Sequence, residues 1–299
     1  MRIYSPPYRI KIIEVGPRDG LQILNKFIPT QMKIDWISSL LQAGCDEIEA
    51  SSFVASKWVP QLADAGEVCK HFSTGFPERL TYLVPNMKGA ERAIEFGAKH
   101  LFVTTSASEL HSMKNLNQTI KQVLEGAQRI AEYAARNSVH YTASIAASFG
   151  YSEDPTGVKQ ETVEMMVDTF QKAGFAAVTL CDTSGQAAPT QVYELCGRIV
   201  EKARIPIGVH LHQNGGIEFA NALMALSAGV RIFESAAGGL GGCPYIKNAR
   251  GNIATEKLVE MLKSCGYELQ VDQSAINNCA DVGKSFQNQY YMWGDCNNA

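Results

Sequence analysis

The sequence predicts an α/β protein, a closed barrel of eight parallel strands, each followed by a helix. Three observations lead there. Short β-branched runs alternate with segments of helical period, and the count of such pairs reaches eight near residue 263. A length of 299 residues with 45% hydrophobic content suits one barrel of roughly 250 residues with a tail. An open doubly wound sheet would carry Gly-x-Gly-x-x-Gly after its first strand, and this chain carries Gly16-Pro17-Arg18-Asp19-Gly20 instead.

The first strand, residues 10–15, stops at Gly16-Pro17, so Arg18 and Asp19 stand at its carboxyl end. Thr30 caps a helix to about residue 42, whose Ile34, Ile37, Leu40 and Leu41 recur at helical spacing, and Gly44 ends it. The alternation then repeats: strand 46–51, helix 61–71, strand 80–84, helix 89–96, strand 100–104 and a long helix from about 118 to 137. The second half runs strand 139–145, helix 159–172, strand 176–181, helix 189–202, strand 207–212, helix 217–227, strand 231–234 and helix 254–263. This is a TIM (β/α)8 barrel over about 9–265, within a single catalytic domain spanning 1–299. A short C-terminal extension, about 266–299, is polar and carries Tyr290, Tyr291 and Trp293. It is expected to be a terminal helix packed on the barrel or an oligomer contact.

The net charge of −3 and the lack of charge runs argue against nucleic acid and membrane surfaces as partners, which leaves small-molecule chemistry. Eight cysteines without C-x-x-C pairs, and an N-terminus resembling neither a signal peptide nor an Arg-rich presequence, predict a reduced, cytoplasmic protein. No uninterrupted apolar run approaches the roughly 18 residues of a membrane span.

In such a barrel the residues just after each strand converge on one mouth. They are Arg18, Asp19 and Gln22 from the first strand, Glu49 and Ser52 from the second, 104–106 from the fourth, and Asp182 and Thr183 from the sixth. The seventh gives His210-Leu211-His212, whose alternation puts both imidazoles on one face, as two ligands of one metal ion require. Arg18 beside Asp19 offers a fixed cationic fork for a developing oxyanion next to a hard oxygen ligand. After strand eight, Gly238-Gly239-Leu240-Gly241-Gly242-Cys243 reads as a loop too glycine-rich to pack as core, one that opens and closes and carries Cys243 as a proton donor or acceptor. Asn252 stands before the last helix, where a cap or turn residue would serve. A carboxylate favours Mg²⁺ and two imidazoles Mn²⁺ or Zn²⁺, and Mg²⁺ or Mn²⁺ is expected.

Val-Gly-Pro-Arg-Asp-Gly-Leu-Gln at 15–22, Ser-Phe-Val-x-x-Lys-Trp-Val-Pro-Gln at 52–61, the His-x-His pair, Gly-Leu-Gly-Gly-Cys-Pro-Tyr at 239–245 and Gly-Asn-x-Ala-Thr-Glu at 251–256 occur in that order. Together they resemble the 3-hydroxy-3-methylglutaryl-CoA (HMG-CoA) lyase family. The resemblance implies a divalent-metal barrel that cleaves HMG-CoA to acetyl-CoA and acetoacetate, a reaction of leucine catabolism and ketone-body formation. By the same resemblance Asp19, His210, His212 and Asn252 hold the metal, Arg18 steadies the enolate, Cys243 takes part in proton transfer and Glu49 supports the site. Lys114 and Asn115 match a stretch that contacts CoA, the one nucleotide moiety implied. Gln22 and Ser52 are expected near substrate, and a homodimer or higher homo-oligomer stays open.

The chain also departs from the family pattern. Gln213-Asn214-Gly215-Gly216 replaces Asp-Thr-Tyr-Gly after His212, Ser148-Phe149-Gly150-Tyr151 replaces Gly-Cys-Pro-Tyr, and Cys181-Asp182-Thr183 replaces Gly-Asp-Thr. These changes bear on the acyl group. The alternatives are a related lyase or aldolase acting on another 3-hydroxyacyl-CoA or hydroxy acid, a Claisen-type synthase of the isopropylmalate kind, and a non-catalytic metal-binding barrel.

Overall fold

A computed structural model of the chain describes residues 9–242 and 250–290. Its eight strands are β1 (Lys11–Glu14), β2 (Glu47–Ser52), β3 (Leu80–Leu83), β4 (His100–Ser106), β5 (His140–Ala146), β6 (Val178–Asp182), β7 (Ile207–Leu211) and β8 (Ile232–Ser235). They pair in chain order, all parallel, and β8 closes on β1 from Lys11 opposite Ile232 to Glu14 opposite Ser235. Between β2 and β3 the register slips by one residue between Glu49 and Ser51, a bulge of the kind that re-aims side chains beside a site.

The helices are α1 (Thr30–Gln42), α2 (Ala65–Phe72), α3 (Met87–Glu95), α4 (Glu109–Leu116), α5 (Ile120–Arg136), α6 (Gln160–Lys172), α7 (Pro189–Lys202), α8 (Ile217–Ser227), α9 (Thr255–Ser264) and α10 (Gln273–Tyr290). Local chemistry accounts for several boundaries. Thr119 and Gln122 form a reciprocal capping box that starts α5, and Asn86 caps α3 by accepting from Gly89 N at 3.0 Å. The stripe Ile34, Ile37, Leu40 and Leu41 of α1 is buried as its spacing requires.

Two elements differ from expectation. The helix expected over 61–71 is shorter, because a 3₁₀ turn at Pro60–Leu62 precedes α2. The helix α4 was not expected at all: the residues it buries include His111 and Ser112, so no apolar stripe marks it, and its start rests on Ser108 accepting from His111 N at 3.2 Å.

The barrel interior is polar where layers of Val, Ile and Leu are usual. Lys11, Glu47, Glu49, Thr142, Thr179 and Glu234 line a cavity along its axis. The charges are paired, Lys11 with Glu47, Glu49 with Arg18 and Glu234 with His210, as burial demands. The extension contributes α10, which packs against α1, α9 and the turn Ala237–Gly239. Trp36 Nε1 donates to the Cys279 carbonyl at 3.0 Å and its ring meets Phe286 edge-on at 5.4 Å. Tyr291 and Trp293 lie outside the described residues.

Candidate metal and active site

Immediately after β1 the backbone winds into one wide turn, Gly16–Gly20, in which the Val15 carbonyl accepts from the amides of Arg18, Asp19 and Gly20. Single wide turns of this kind concentrate at functional sites. The turn faces both side chains into the mouth, 8% exposed each. Arg18 donates from Nε to Glu49 Oε1 at 2.6 Å, from Nη2 to Glu49 Oε2 at 2.7 Å and from Nη1 to Asp19 Oδ1 at 2.7 Å. Burial disfavours its charge, but Glu49 and Asp19 outweigh burial and hold the guanidinium more firmly protonated. Burial likewise works against the Asp19 carboxylate, while Arg18, His210 and His212 keep it below the usual range. Gln22 adds an amide donor to Asp19 Oδ1 at 2.8 Å.

His210 stands one residue before the end of β7 and His212 just after it, their rings 4.9 Å apart between centroids. His210 gives its Nδ1 hydrogen to Glu234 Oε2 at 2.9 Å, and Glu234 in turn accepts from Thr179 Oγ1 at 2.7 Å. His212 gives its Nδ1 hydrogen to the Asp182 carbonyl at 2.9 Å. In the neutral form each ring then presents a lone pair on Nε2, the tautomer in which metal-binding histidines are held by an outer partner. Burial opposes a charge on His210, yet Glu234 keeps its pKa above the ordinary histidine value; burial and neighbouring His210 push His212 down to about 4. Asp19, His210 and His212 present ligand atoms that all lie within 4.8 Å of one another.

Asn252 reaches this group from far along the chain. The segment 250–255 pairs antiparallel with the end of β7, where Ile253 N donates to Leu211 O at 2.9 Å and Gln213 N to Gly251 O at 2.8 Å. It also runs parallel to the end of β8, bridging Ala236 to Ala254. Asn252 Nδ2 then donates to Asp19 Oδ2 and to the Leu240 carbonyl, both at 2.8 Å. Two acceptors on one atom fix the amide orientation. The buried Oδ1 is left with no hydrogen-bond partner among the described residues, next to the Asp19 carboxylate. Two imidazole nitrogens, a carboxylate and this orphaned amide oxygen fit a divalent cation of intermediate hardness.

The glycine-rich loop departs from expectation in its first half. Ala237, Gly239, Leu240, Gly241 and Gly242 are buried, so this stretch is packed, not open. Its glycines allow close approach: at Gly241, with φ +117°, a Cβ would overlap Asn252 Nδ2 and stand 3.1 Å from Asp19 Oδ2. The half that carries Cys243 lies outside the described residues.

The remaining expected residues are more scattered. Ser52 is buried, and its hydroxyl accepts from Val54 N at 3.2 Å within its own loop. Lys114 and Asn115 sit on α4, with Lys114 exposed and paired to Glu153 at 2.6 Å. Phe149, which departs from the family pattern, and Tyr151, which keeps it, are both buried, with Tyr151 edge-on to His111 and centroids 5.0 Å apart. Glu234, the outer partner of His210, was missed; a carboxylate ending an apolar strand was its only signal. Glu14 was missed too, a buried carboxylate that accepts from Gly16 N, Ala237 N and Thr255 Oγ1 and so ties β1 to the loop after β8 and to α9.

Residues 9–282 match the family model described as HMGL-like. The mitochondrial hydroxymethylglutaryl-CoA lyase of Arabidopsis thaliana is 39% identical over 270 residues, which are 89% of this chain and 57% of that protein's length. The cytoplasmic 3-hydroxy-3-methylglutaryl-CoA lyase of Rattus norvegicus is 35% identical over 278 residues, 92% of this chain and 80% of that one. Among solved structures, an HMG-CoA lyase of Acinetobacter baumannii in complex with coenzyme A and 3-methylmalate superposes with a TM-score of 0.87 at 33% identity, covering 96% of this chain and 93% of that one.

Proposed function

This chain belongs to the HMGL-like family, and from that premise we propose that it is a divalent-metal-dependent carbon–carbon lyase cleaving HMG-CoA to acetyl-CoA and acetoacetate. The observation that carries the reading is the buried convergence of Asp19, His210 and His212 beside an arginine fork. Asp19, His210, His212 and Asn252 would hold Mg²⁺ or Mn²⁺, which would supply Lewis acidity toward the substrate's oxygens.

The rest of the chemistry belongs to the protein. In the cleavage the C2–C3 bond of the acyl group breaks, its electron pair passes to C2 as an enolate, and the C3 hydroxyl gives its proton to the Cys243 thiolate to become the ketone of acetoacetate. Arg18 has three N–H groups engaged by Glu49 and Asp19, and its others donate to the thioester oxygen as charge develops there. Glu49, gripping two of the nitrogens, keeps the fork from rotating. Cys243 returns a proton to C2. Gln22 and Ser52 border the acyl group, and Lys114 and Asn115 receive the CoA moiety.

One feature favours a second reading, a lyase for a different 3-hydroxyacyl-CoA. The buried Cys181 pairs in register with His210, placing a thiol where the family pattern has glycine. The chain works as one catalytic unit in the cytoplasm, alone or as a homo-oligomer. The free cysteines among the described residues support a reducing compartment.

The test is a panel of 3-hydroxyacyl-CoAs incubated with metal-depleted protein, with and without added Mg²⁺ or Mn²⁺, following acetyl-CoA release. Metal-dependent turnover of HMG-CoA above the other thioesters is expected, and His212→Ala abolishes it while lowering metal affinity. Faster cleavage of another thioester selects the second reading. Turnover that survives chelation, or wild-type metal content in His212→Ala, refutes the metal assignment.

A further inference from the structure

Gln213 follows the second histidine, where the chain leaves the family pattern. Its side chain does not extend toward the substrate side of the mouth. The amide Nε2 donates to the Asn252 carbonyl at 3.0 Å and to the Gly239 carbonyl at 3.3 Å, while its backbone N donates to Gly251 O at 2.8 Å. The amide occupies a slot that two glycines create. A Cβ on Gly239 would overlap Nε2, and one on Gly251 would overlap the Gly239 carbonyl and approach Nε2 to 3.1 Å. One side chain thus joins three pieces of backbone: the end of β7, the root of the loop after β8, and the segment that carries Asn252.

The neighbouring residues strengthen the junction. Arg250 donates to the Asn214 side chain, and Asn214 N and Gly216 N donate to Glu218 Oε2 at 2.7 and 2.9 Å. Those contacts anchor the loop 213–216 at its outer side, and Gln213 alone reaches inward to the carbonyl of Asn252 itself. The unpartnered Asn252 Oδ1 depends on this placement, since its amide is aimed by Asp19 on one side and its backbone by Gln213 on the other.

We propose that Gln213 is a positioning residue that sets Asn252 for the metal and ties its placement to the root of the Cys243 loop. The inference rests on the metal reading above. Outer residues that orient a metal ligand typically change affinity by about 10–100-fold when lost. A glutamine at this position supplies two donors to two carbonyls, which neither a methionine of similar length nor a glutamate does.

The experiment is calorimetric titration of Mn²⁺ alone into metal-depleted wild type, Gln213→Met, Gln213→Glu and His212→Ala, with the melting temperature of each metal-free protein and the electron paramagnetic resonance spectrum of bound Mn²⁺. Expected are a loss of about tenfold or more in Mn²⁺ affinity for Gln213→Met, an altered Mn²⁺ spectrum, and a metal-free melting temperature near that of wild type. Affinity within twofold of wild type and an unchanged spectrum in a folded Gln213→Met overturn the proposal. If Gln213→Met does not fold, Gln213→Asn, which keeps the amide but falls one methylene short, is judged by the same measures; if neither folds, the residue is a folding element and the proposal is overturned. Failure of the metal reading is distinguishable, because then wild type and His212→Ala bind Mn²⁺ alike.

Discussion

Replacing Arg18 by lysine keeps the charge and removes the fork. In the structure the guanidinium makes three charge-assisted hydrogen bonds, two of them to both oxygens of Glu49 at 2.6 and 2.7 Å and one to Asp19 at 2.7 Å. An ammonium is a point donor and satisfies one carboxylate well at a time. The loss of the second and third contacts, each worth about 1.5–3 kcal/mol in isolation and partly recovered by the retained charge, leaves a net destabilisation of about 2–3 kcal/mol. At about 2–4 °C per kcal/mol for a large domain, the melting temperature falls by about 4–12 °C. The effect on turnover is larger than stability explains. On the proposed assignment, the N–H groups left over after Glu49 and Asp19 serve the developing enolate only while the fork is held, and removal of one positioned donor costs about 10²–10³ in kcat. The assay is steady-state release of acetyl-CoA from HMG-CoA at saturating Mg²⁺, well below the variant's melting temperature. A loss of less than about tenfold in kcat in a folded Arg18→Lys protein refutes the assignment, because the charge alone would then suffice.

Four further outcomes are expected. Gly241→Ala loses about tenfold or more in metal affinity, since the Cβ meets Asn252 and Asp19; Gly126→Ala on α5, where a Cβ meets nothing, gains about 0.5–1 kcal/mol in a denaturant titration. His111 is buried against Tyr151 and burial pushes it down to about 4. Its folded pKa lies below the unfolded value, so its contribution is fully present above about pH 6.5 and is lost as pH falls toward 4; His111→Phe flattens that part of the stability–pH curve, and an unchanged slope argues otherwise. Cys243→Ser keeps Mn²⁺ binding and loses about 10²–10⁴ in kcat, and wild-type turnover in that variant means the proton comes from another group.

The barrel was legible because its strands are short β-branched runs closed by glycine or by polar residues, and because the count reached eight. The gathering of Arg18, Asp19, His210 and His212 was legible for the same reason: a residue after a barrel strand has only one place to go. What was not legible depends on contacts made across the chain. The alternation of His-x-His does not show that Glu234 and the Asp182 carbonyl choose the tautomer of each ring. Glycine content read as freedom at 238–242, but the same lack of a Cβ equally permits tight packing, and here packing against Asn252 decides. The helix α4 escaped notice because its buried positions include polar residues, and Asn252 was reached only through the family resemblance, because an isolated bridge to His212 leaves no periodic trace.

The closing of β8 onto β1 has a bearing on how the protein comes into being. Asp19 and Asn252 are 233 residues apart in sequence, and Glu14 and Thr255, which meet just behind them, are 241 apart. The cluster of Asp19, His210, His212 and Asn252 cannot assemble on a chain leaving the ribosome until residue 252 has emerged, because the first strand waits for the last. Such long-range closure is slow, and an unpartnered β1 is exposed meanwhile. Any ligand bridging Asp19 and the histidines then acts as a clasp on that junction, adding about 2.7 kcal/mol to the closed form at a hundred times its dissociation constant. Protein short of that ligand is expected to hold this seam less tightly than protein that has it.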